Sequence, residues 1–191
     1  MNEGECDTMP EIDAIPEITV ARSVSRITRL ELPLCRLLNG VRSRGLLRLF
    51  SIVSRLGNGY FWLAVALALL AADGAGAWPA VRHLTLATAV GLSLYKLLKA
   101  RTGRPRPFNA EDGFHLTITP LDELSFPSGH TLHAVAFTLV LYAYYPLAFW
   151  LVLPFTVLVA LSRVVLGLHY PSDVAAGVAL GSLVALVVLR I

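Results

Sequence analysis

The sequence predicts an all-α fold: a polytopic membrane helix bundle of about five transmembrane helices, with an amphipathic N-terminal helix ahead of them. Two observations carry that prediction. Hydrophobic residues make up 55% of the 191 and charged residues only 15%, where ordinary soluble domains carry about 25% charged residues. The charges are also segregated: residues 1–57 hold 15 of them, and the remaining 134 residues hold 14. This composition disfavours a soluble enzyme, a disordered tail protein and a nucleic-acid binder. The net charge is +3 and the pI about 9.1. Half the basic residues lie in the N-terminal part, and five of the other eight cluster between Lys96 and Arg106. That clustering suggests a local anion site rather than a general polyanion surface.

The elements follow in order. Residues 1–21 read as a flexible acidic tail, with six acidic residues and no basic one in the first 20. They lack the apolar core of a cleavable signal. Residues 22–56 mix arginine with Leu, Ile, Val and Phe at helical spacing and read as amphipathic helices lying in a membrane interface. Four arginines (Arg36, Arg42, Arg44 and Arg48) fall within 13 residues there. Each would cost roughly 2.5–3.5 kcal/mol at mid-membrane, so this stretch should not span. Cys6 and Cys35 both precede the membrane part and read as incidental thiols.

Residues 57–191 form the membrane domain. A first span is expected over 57–72, stopped by Asp73-Gly74. A second is expected over 79–100, whose length of about 33 Å suffices for a ~30 Å hydrocarbon core. Between Glu123 and Arg163 lie 39 residues without Asp, Glu, Lys or Arg. That is too long for one crossing and right for two, broken at Tyr145-Pro146. The third span is then 128–145, the fourth 147–168 with Pro154 inside it, and the fifth 171–189. The one long polar segment among them is 101–125.

Alternating direction gathers four helix ends at one membrane face: the end of the second span, the start of the third, the end of the fourth and the start of the fifth. Lys99, Arg106, Ser128, Gly129, His130, Arg163, His169 and Asp173 all sit at those ends. Taken singly, each has an ordinary reading as a snorkelling cation or a helix cap. Together they place three cations, two histidines and a carboxylate on one face, and ionisable groups near spans are functional candidates by default. Free amides at the start of the third span can bind an anion, and Gly129 allows close approach. Arginine suits bidentate capture of phosphate oxygens. Asp173, four residues after His169, could accept the imidazole Nδ1–H and leave Nε2 free as a nucleophile. His130 is the candidate acid. A metal fits poorly, because His169 and Asp173 offer two ligands amid cations. His133, one turn after His130, reads as structural; His83 lies near the opposite face and His115 in the polar loop.

These residues resemble a known family. Lys99-x6-Arg106-Pro107, Pro127-Ser128-Gly129-His130 and Ser162-Arg163-x5-His169-x3-Asp173 resemble, in order, the three motifs of the type 2 phosphatidic acid phosphatase (PAP2) superfamily. The resemblance covers about residues 46–191 and implies a core shared with the vanadium haloperoxidases. It implies a metal-independent phosphatase with no cofactor, working through a phosphohistidine on His169, with His130 as acid and base and Asp173 orienting His169. It assigns Lys99, Arg106, Ser128, Gly129 and Arg163 to phosphate binding. Arg104 lies beside these residues but outside the strict motif. One departure is that many membrane members have six spans, whereas five are expected here.

The leading expectation is an integral-membrane enzyme acting on a lipid phosphate or diphosphate: undecaprenyl diphosphate, phosphatidylglycerophosphate, phosphatidic acid and a lipid A phosphate all fit. Its partners would be the lipid substrate and membrane lipids, with no nucleic acid and no obligate protein partner. A phosphatase for a soluble phosphoester and a non-catalytic phosphate-binding membrane protein are the alternatives. The arginine-rich segment would put the site in the cytoplasm by the positive-inside rule. The family resemblance implies the periplasmic face of a bacterial inner membrane.

Overall fold

A computed structural model describes residues 26–119 and 122–191. The expected acidic tail lies outside the described residues. Helix α1 spans Arg26–Asn39 and α2 spans Arg44–Leu56. Ser43 opens α2 by accepting from the Leu46 amide, and the Gly57 amide closes it on the Val53 carbonyl at 2.9 Å. Helix α3 is Tyr60–Asp73, followed by a 3-10 turn at Gly74–Ala77 and by α4 at Trp78–Thr102. Gly103, in the left-handed conformation at φ 56°, terminates α4 by bonding the Lys99 carbonyl; glycine carries no Cβ penalty there. A short turn α5, Pro107–Ala110, precedes the polar loop. Helices α6 (Gly129–Tyr144), α7 (Pro146–Val165) and α8 (Pro171–Val188) complete the chain.

All five expected apolar blocks are helices, with ends within about three residues of the expected ones. Among the described residues, three stretches are long and apolar enough to cross a membrane: Tyr60–Thr102, Pro146–Val165 and Pro171–Val188. The first comprises α3 and α4 joined by the 3-10 turn. The 16-residue α6 is the buried centre, packed against α4, α7 and α8. Its Leu132, Phe137, Val140 and Leu141 join Val159 of α7 and Val184 and Val188 of α8 in one core. Large apolar side chains face outward instead on α7, where Leu147 is 83% and Leu151 80% exposed. An exposed surface of that kind suits hydrocarbon rather than water. The protein is a membrane protein.

Glycine sets the closest helix contact. A Cβ on Gly181 of α8 would stand 2.4 Å from the Leu132 carbonyl oxygen, and one on Gly177 would stand 2.8 Å from that of Ser128. Small residues permit this approach between membrane helices. It brings the start of α8 against the start of α6, where the Ser128 amide donates to the Asp173 carbonyl at 3.1 Å. At the other end of the bundle, Tyr145 donates to Asp73 at 2.7 Å, and the Tyr144 hydroxyl lies 2.8 Å from His83 Nδ1. Gly181→Ala is expected to destabilise the fold by about 1–3 kcal/mol, the usual cost of overpacking. The measurement is the thermal unfolding midpoint in detergent, and an unchanged midpoint would mean that α6 and α8 separate freely.

Candidate active site

The four predicted helix ends do meet. Arg106, just past α4, donates from Nη1 to the Leu168 carbonyl at 2.7 Å, tying the polar loop to the α7–α8 connection. Lys99 is 7% exposed, Arg106 2% and Arg163 3%. Burying three cations is expensive unless each finds a partner. Lys99 Nζ donates to both Asp122 oxygens, at 2.6 and 2.8 Å, and to the Leu124 carbonyl at 2.9 Å. Arg106 Nη2 donates to the same carboxylate at 2.9 Å. Arg163 Nη1 bonds the Ser54 hydroxyl from α2, while its buried Nε has no partner.

Asp122 therefore holds the position between Lys99 and Arg106 that an anionic ligand would take. Burial raises its pKa, but the hydrogen bonds and charges of Lys99 and Arg106 outweigh that and leave it below the usual carboxylate value. Burial lowers the Arg106 pKa, and Asp122 opposes the shift.

His169 lies at the centre. Arg106 Nη1 is 3.2 Å from His169 Nε2. A guanidinium can only donate, so Nε2 carries the lone pair and Nδ1 the hydrogen. That Nδ1 faces Asp173 Oδ2 at 3.5 Å. Burial, followed by the Arg163, Arg106 and Lys99 charges, holds the His169 pKa well below 6.5. The imidazole is thus neutral, with its lone pair aimed among three cations. Asp173, wholly buried, accepts the Tyr170 amide at Oδ2 (2.9 Å) and Arg104 Nη1 at Oδ1 (2.6 Å).

The start of α6 supplies the remaining parts. Ser128 is fully buried, and its Oγ lies 3.0 Å from Thr131 Oγ1. Gly129 opens the helix over the face of the Tyr95 ring, 3.5 Å from where a Cβ would stand. His130 Nε2 bonds the Asn58 side-chain oxygen, from the turn between α2 and α3. His133 donates through Nδ1 to the Gly129 carbonyl at 2.9 Å, which fits its structural reading. His83 is at the far end, and His115 pairs its amide with Asn39. Cys35 is buried beside Tyr170, and burial first, then Glu31 and Asp173, pushes its thiol up to about 12.

A cavity of about 660 Å³ opens from these groups. One end is lined by Lys99, Arg106, His130, Arg163 and His169, the other by Trp62, Leu63 and Ala66 of α3 and Leu84 and Leu92 of α4. It is polar at one end and hydrocarbon-like at the other.

Residues 80–191 match the model of the PAP2 superfamily. The chain belongs to that superfamily. It is 38% identical over 133 residues to the decaprenylphosphoryl-5-phosphoribose phosphatase of Mycobacterium tuberculosis, covering 66% of this chain and 69% of that protein. Among solved structures, Aquifex aeolicus LpxE superposes with a TM-score of 0.69 at 28% identity, covering 85% of this chain and 96% of that one. A transmembrane PAP2-type phosphatidylglycerolphosphate phosphatase from Bacillus subtilis superposes with a TM-score of 0.67 at 22% identity, over 86% of this chain and 85% of that one. At that identity the second likeness shows the fold alone.

Lys99, Arg106, Gly129, His130, Arg163 and His169 line this cavity, with Ser128 at the start of α6 and Asp173 beside His169. Sequence reasoning missed Asp122, Asn58, Ser54 and Glu31. Only Asp122 left a signal, as an acid in the one long polar segment between the motifs. Its carboxylate competes with any anion for Lys99 and Arg106. Asp122→Asn should therefore tighten orthophosphate binding, on the order of tenfold for removal of one close negative charge. Titration calorimetry on purified protein checks this, and unchanged affinity would place the anion elsewhere.

Proposed function

We propose that this chain is a metal-independent lipid phosphatase that hydrolyses a lipid phosphate or diphosphate through a phosphohistidine on His169. The observation that carries the reading is the cavity itself, which joins a cationic pocket around the His169 lone pair to an apolar arm between α3 and α4. A soluble phosphoester has no use for that arm, whereas a lipid fills both ends. The relative named for decaprenylphosphoryl-5-phosphoribose makes polyprenyl-linked phosphates the first class to assay.

The chemistry uses the residues already placed. Lys99, Arg106 and Arg163 hold the phosphoryl oxygens, with Ser128 and the first amides of α6. His169 Nε2 donates its lone pair to phosphorus as the bond to the leaving oxygen breaks. His130 gives that oxygen a proton. Water then attacks the phosphohistidine, losing a proton to His130, and releases phosphate with His169 restored. Asp173 orients the His169 Nδ1–H. Three side-chain cations occupy the place where a divalent ion would otherwise neutralise the phosphoryl group.

By resemblance to the family, the site faces the periplasm of a bacterial inner membrane. Helices α1 and α2 then lie in the outer leaflet, with Ile27, Leu30 and Leu37 exposed toward lipid.

Purified protein is expected to release phosphate from one class of lipid phosphate in the presence of chelator, and His169→Ala to release none. Turnover surviving in His169→Ala, or lost in chelator and restored by a divalent ion, would overturn the mechanism. Vanadate should inhibit as a mimic of the trigonal-bipyramidal transition state. The lowered His169 pKa fixes a further sign. The nucleophile is inactive once protonated, so activity is retained as pH falls through 6.5 and is lost only lower. A kcat/KM profile whose acidic limb lies at or above 6.5 would contradict a neutral His169.

A further inference from the structure

The groups that hold Asp173 come from outside the three motifs. Arg104 Nη1 donates to Asp173 Oδ1 at 2.6 Å and to Ser172 Oγ at 2.7 Å. Its Nη2 donates to Glu31 Oε2 at 2.7 Å and its Nε to Thr28 Oγ1 at 3.2 Å. Its guanidinium carbon stands 4.0 Å from the centre of the Tyr170 ring, a cation–π stack. Glu31, from α1, also accepts the Ser172 amide at 2.6 Å and the Ser172 hydroxyl at 2.7 Å. It thus caps the first turn of α8, where a negative charge is favoured. The side chains of Arg104 and Glu31 are only 14% and 16% exposed.

We propose that Arg104 and Glu31 are positioning residues for the His169–Asp173 pair, so that the N-terminal helix α1 belongs to the catalytic apparatus. The inference rests on the phosphatase reading above. A buried carboxylate stays charged and fixed only if its lone pairs are filled. Asp173 Oδ1 is filled by Arg104, which leaves Oδ2 for the Tyr170 amide and the His169 Nδ1–H. Arg104 is planar and rigid, so it transmits its own position to Asp173. Its own position is set by Glu31 and Thr28 of α1 and by the Tyr170 ring. Helix α1, expected from sequence to lie in the interface, is joined through two charged links to the residue beside the nucleophile.

Neither Arg104 nor Glu31 lines the cavity, and neither touches the place of the phosphoryl group. Their loss should therefore act on kcat more than on KM. A misplacement of about 1 Å remote from the chemistry can cost roughly a hundredfold in rate. The charged and titratable groups facing His169 are Lys99 of α4, Arg106 after it, His130 of α6, Arg163 of α7 and Asp173 of α8. Without Arg104, one buried Asp173 oxygen is left unpaired, and a carboxylate in that state turns away or takes up a proton. Either change loosens the hold on the His169 Nδ1–H while the cationic pocket for the phosphoryl group is kept.

The experiment measures Arg104→Gln, Arg104→Lys and Glu31→Gln beside wild type and His169→Ala, on the lipid phosphate that wild type turns over fastest. Arg104→Gln is expected to lower kcat about a hundredfold with KM within about threefold. Arg104→Lys should recover part of kcat, and Glu31→Gln should lose about tenfold in kcat with KM likewise held. A monodisperse peak with a measurable thermal midpoint selects folded variants. Folded Arg104→Gln and Glu31→Gln with wild-type kcat, while His169→Ala is dead, would overturn this inference alone. An active His169→Ala would take the phosphatase reading and this inference together. If Arg104→Gln does not fold, Glu31→Gln and Arg104→Lys decide.

Discussion

The constraint on which this structure turns is the burial of three cations in a bundle whose outer face is hydrocarbon-like. Lys99, Arg106 and Arg163 are nearly removed from solvent, and an uncompensated buried charge costs several kcal/mol. Lys99 and Arg106 share Asp122, whereas Arg163 finds only a serine hydroxyl and keeps one nitrogen unpaired. The local balance is therefore positive, and a doubly charged phosphoryl group would complete it. The polar loop supplies Asp122 as an internal counter-ion to two of the three. Anion binding would then be an exchange of one anion for another, weaker than the bare charges suggest.

Holding cations this closely demands rigid supports, and the glycines of α8 provide them. Because Gly177 and Gly181 let α8 press on the backbone of α6, the starts of both helices lie at one level. The Ser128 amide reaches the Asp173 carbonyl there. One pair of small residues in the membrane thus fixes the spacing between the α6 amides that would face phosphate and the carboxylate beside His169. At the opposite end Tyr145 bonds Asp73 and links the α6–α7 junction to the end of α3.

Much of this was legible in sequence, for reasons that separate cleanly. Span parity depends only on hydrophobic run lengths, and it sufficed to bring Lys99, Ser128, Arg163 and Asp173 to one face. The motif spacings placed Arg106 and His169. What stayed hidden were single residues whose roles come from contacts across long sequence separations. Glu31 is the one acid in an arginine-rich amphipathic helix, where an acid ordinarily faces water. Nothing local shows that it turns inward to Arg104 and Ser172, 73 and 141 residues away. Asn58 and Ser54 sit near a helix end, where polar residues usually serve as caps. The arginine count of residues 22–56 argues against a span but could not show that α1 reaches Arg104 and α2 reaches Arg163.

In the proposed reaction, the charges that would hold phosphate also prepare the nucleophile. Burial, with Arg163, Arg106 and Lys99, disfavours the His169 imidazolium, so the lone pair on Nε2 is available at neutral pH. A phosphoryl dianion settling among those cations would cancel much of their field. The cost of building positive charge on His169 would fall at the moment when attack on phosphorus requires it. Asp173 would then meet a developing imidazolium rather than a neutral ring, and the 3.5 Å contact to Nδ1 would strengthen along the reaction. An interaction that is weak in the resting state and strong at the transition state is the kind that accelerates a reaction. A tight Asp173–His169 pair at rest would instead raise the His169 pKa and cost the free lone pair. On this account the grip of Arg104 on the other Asp173 oxygen holds the carboxylate in place for that strengthening.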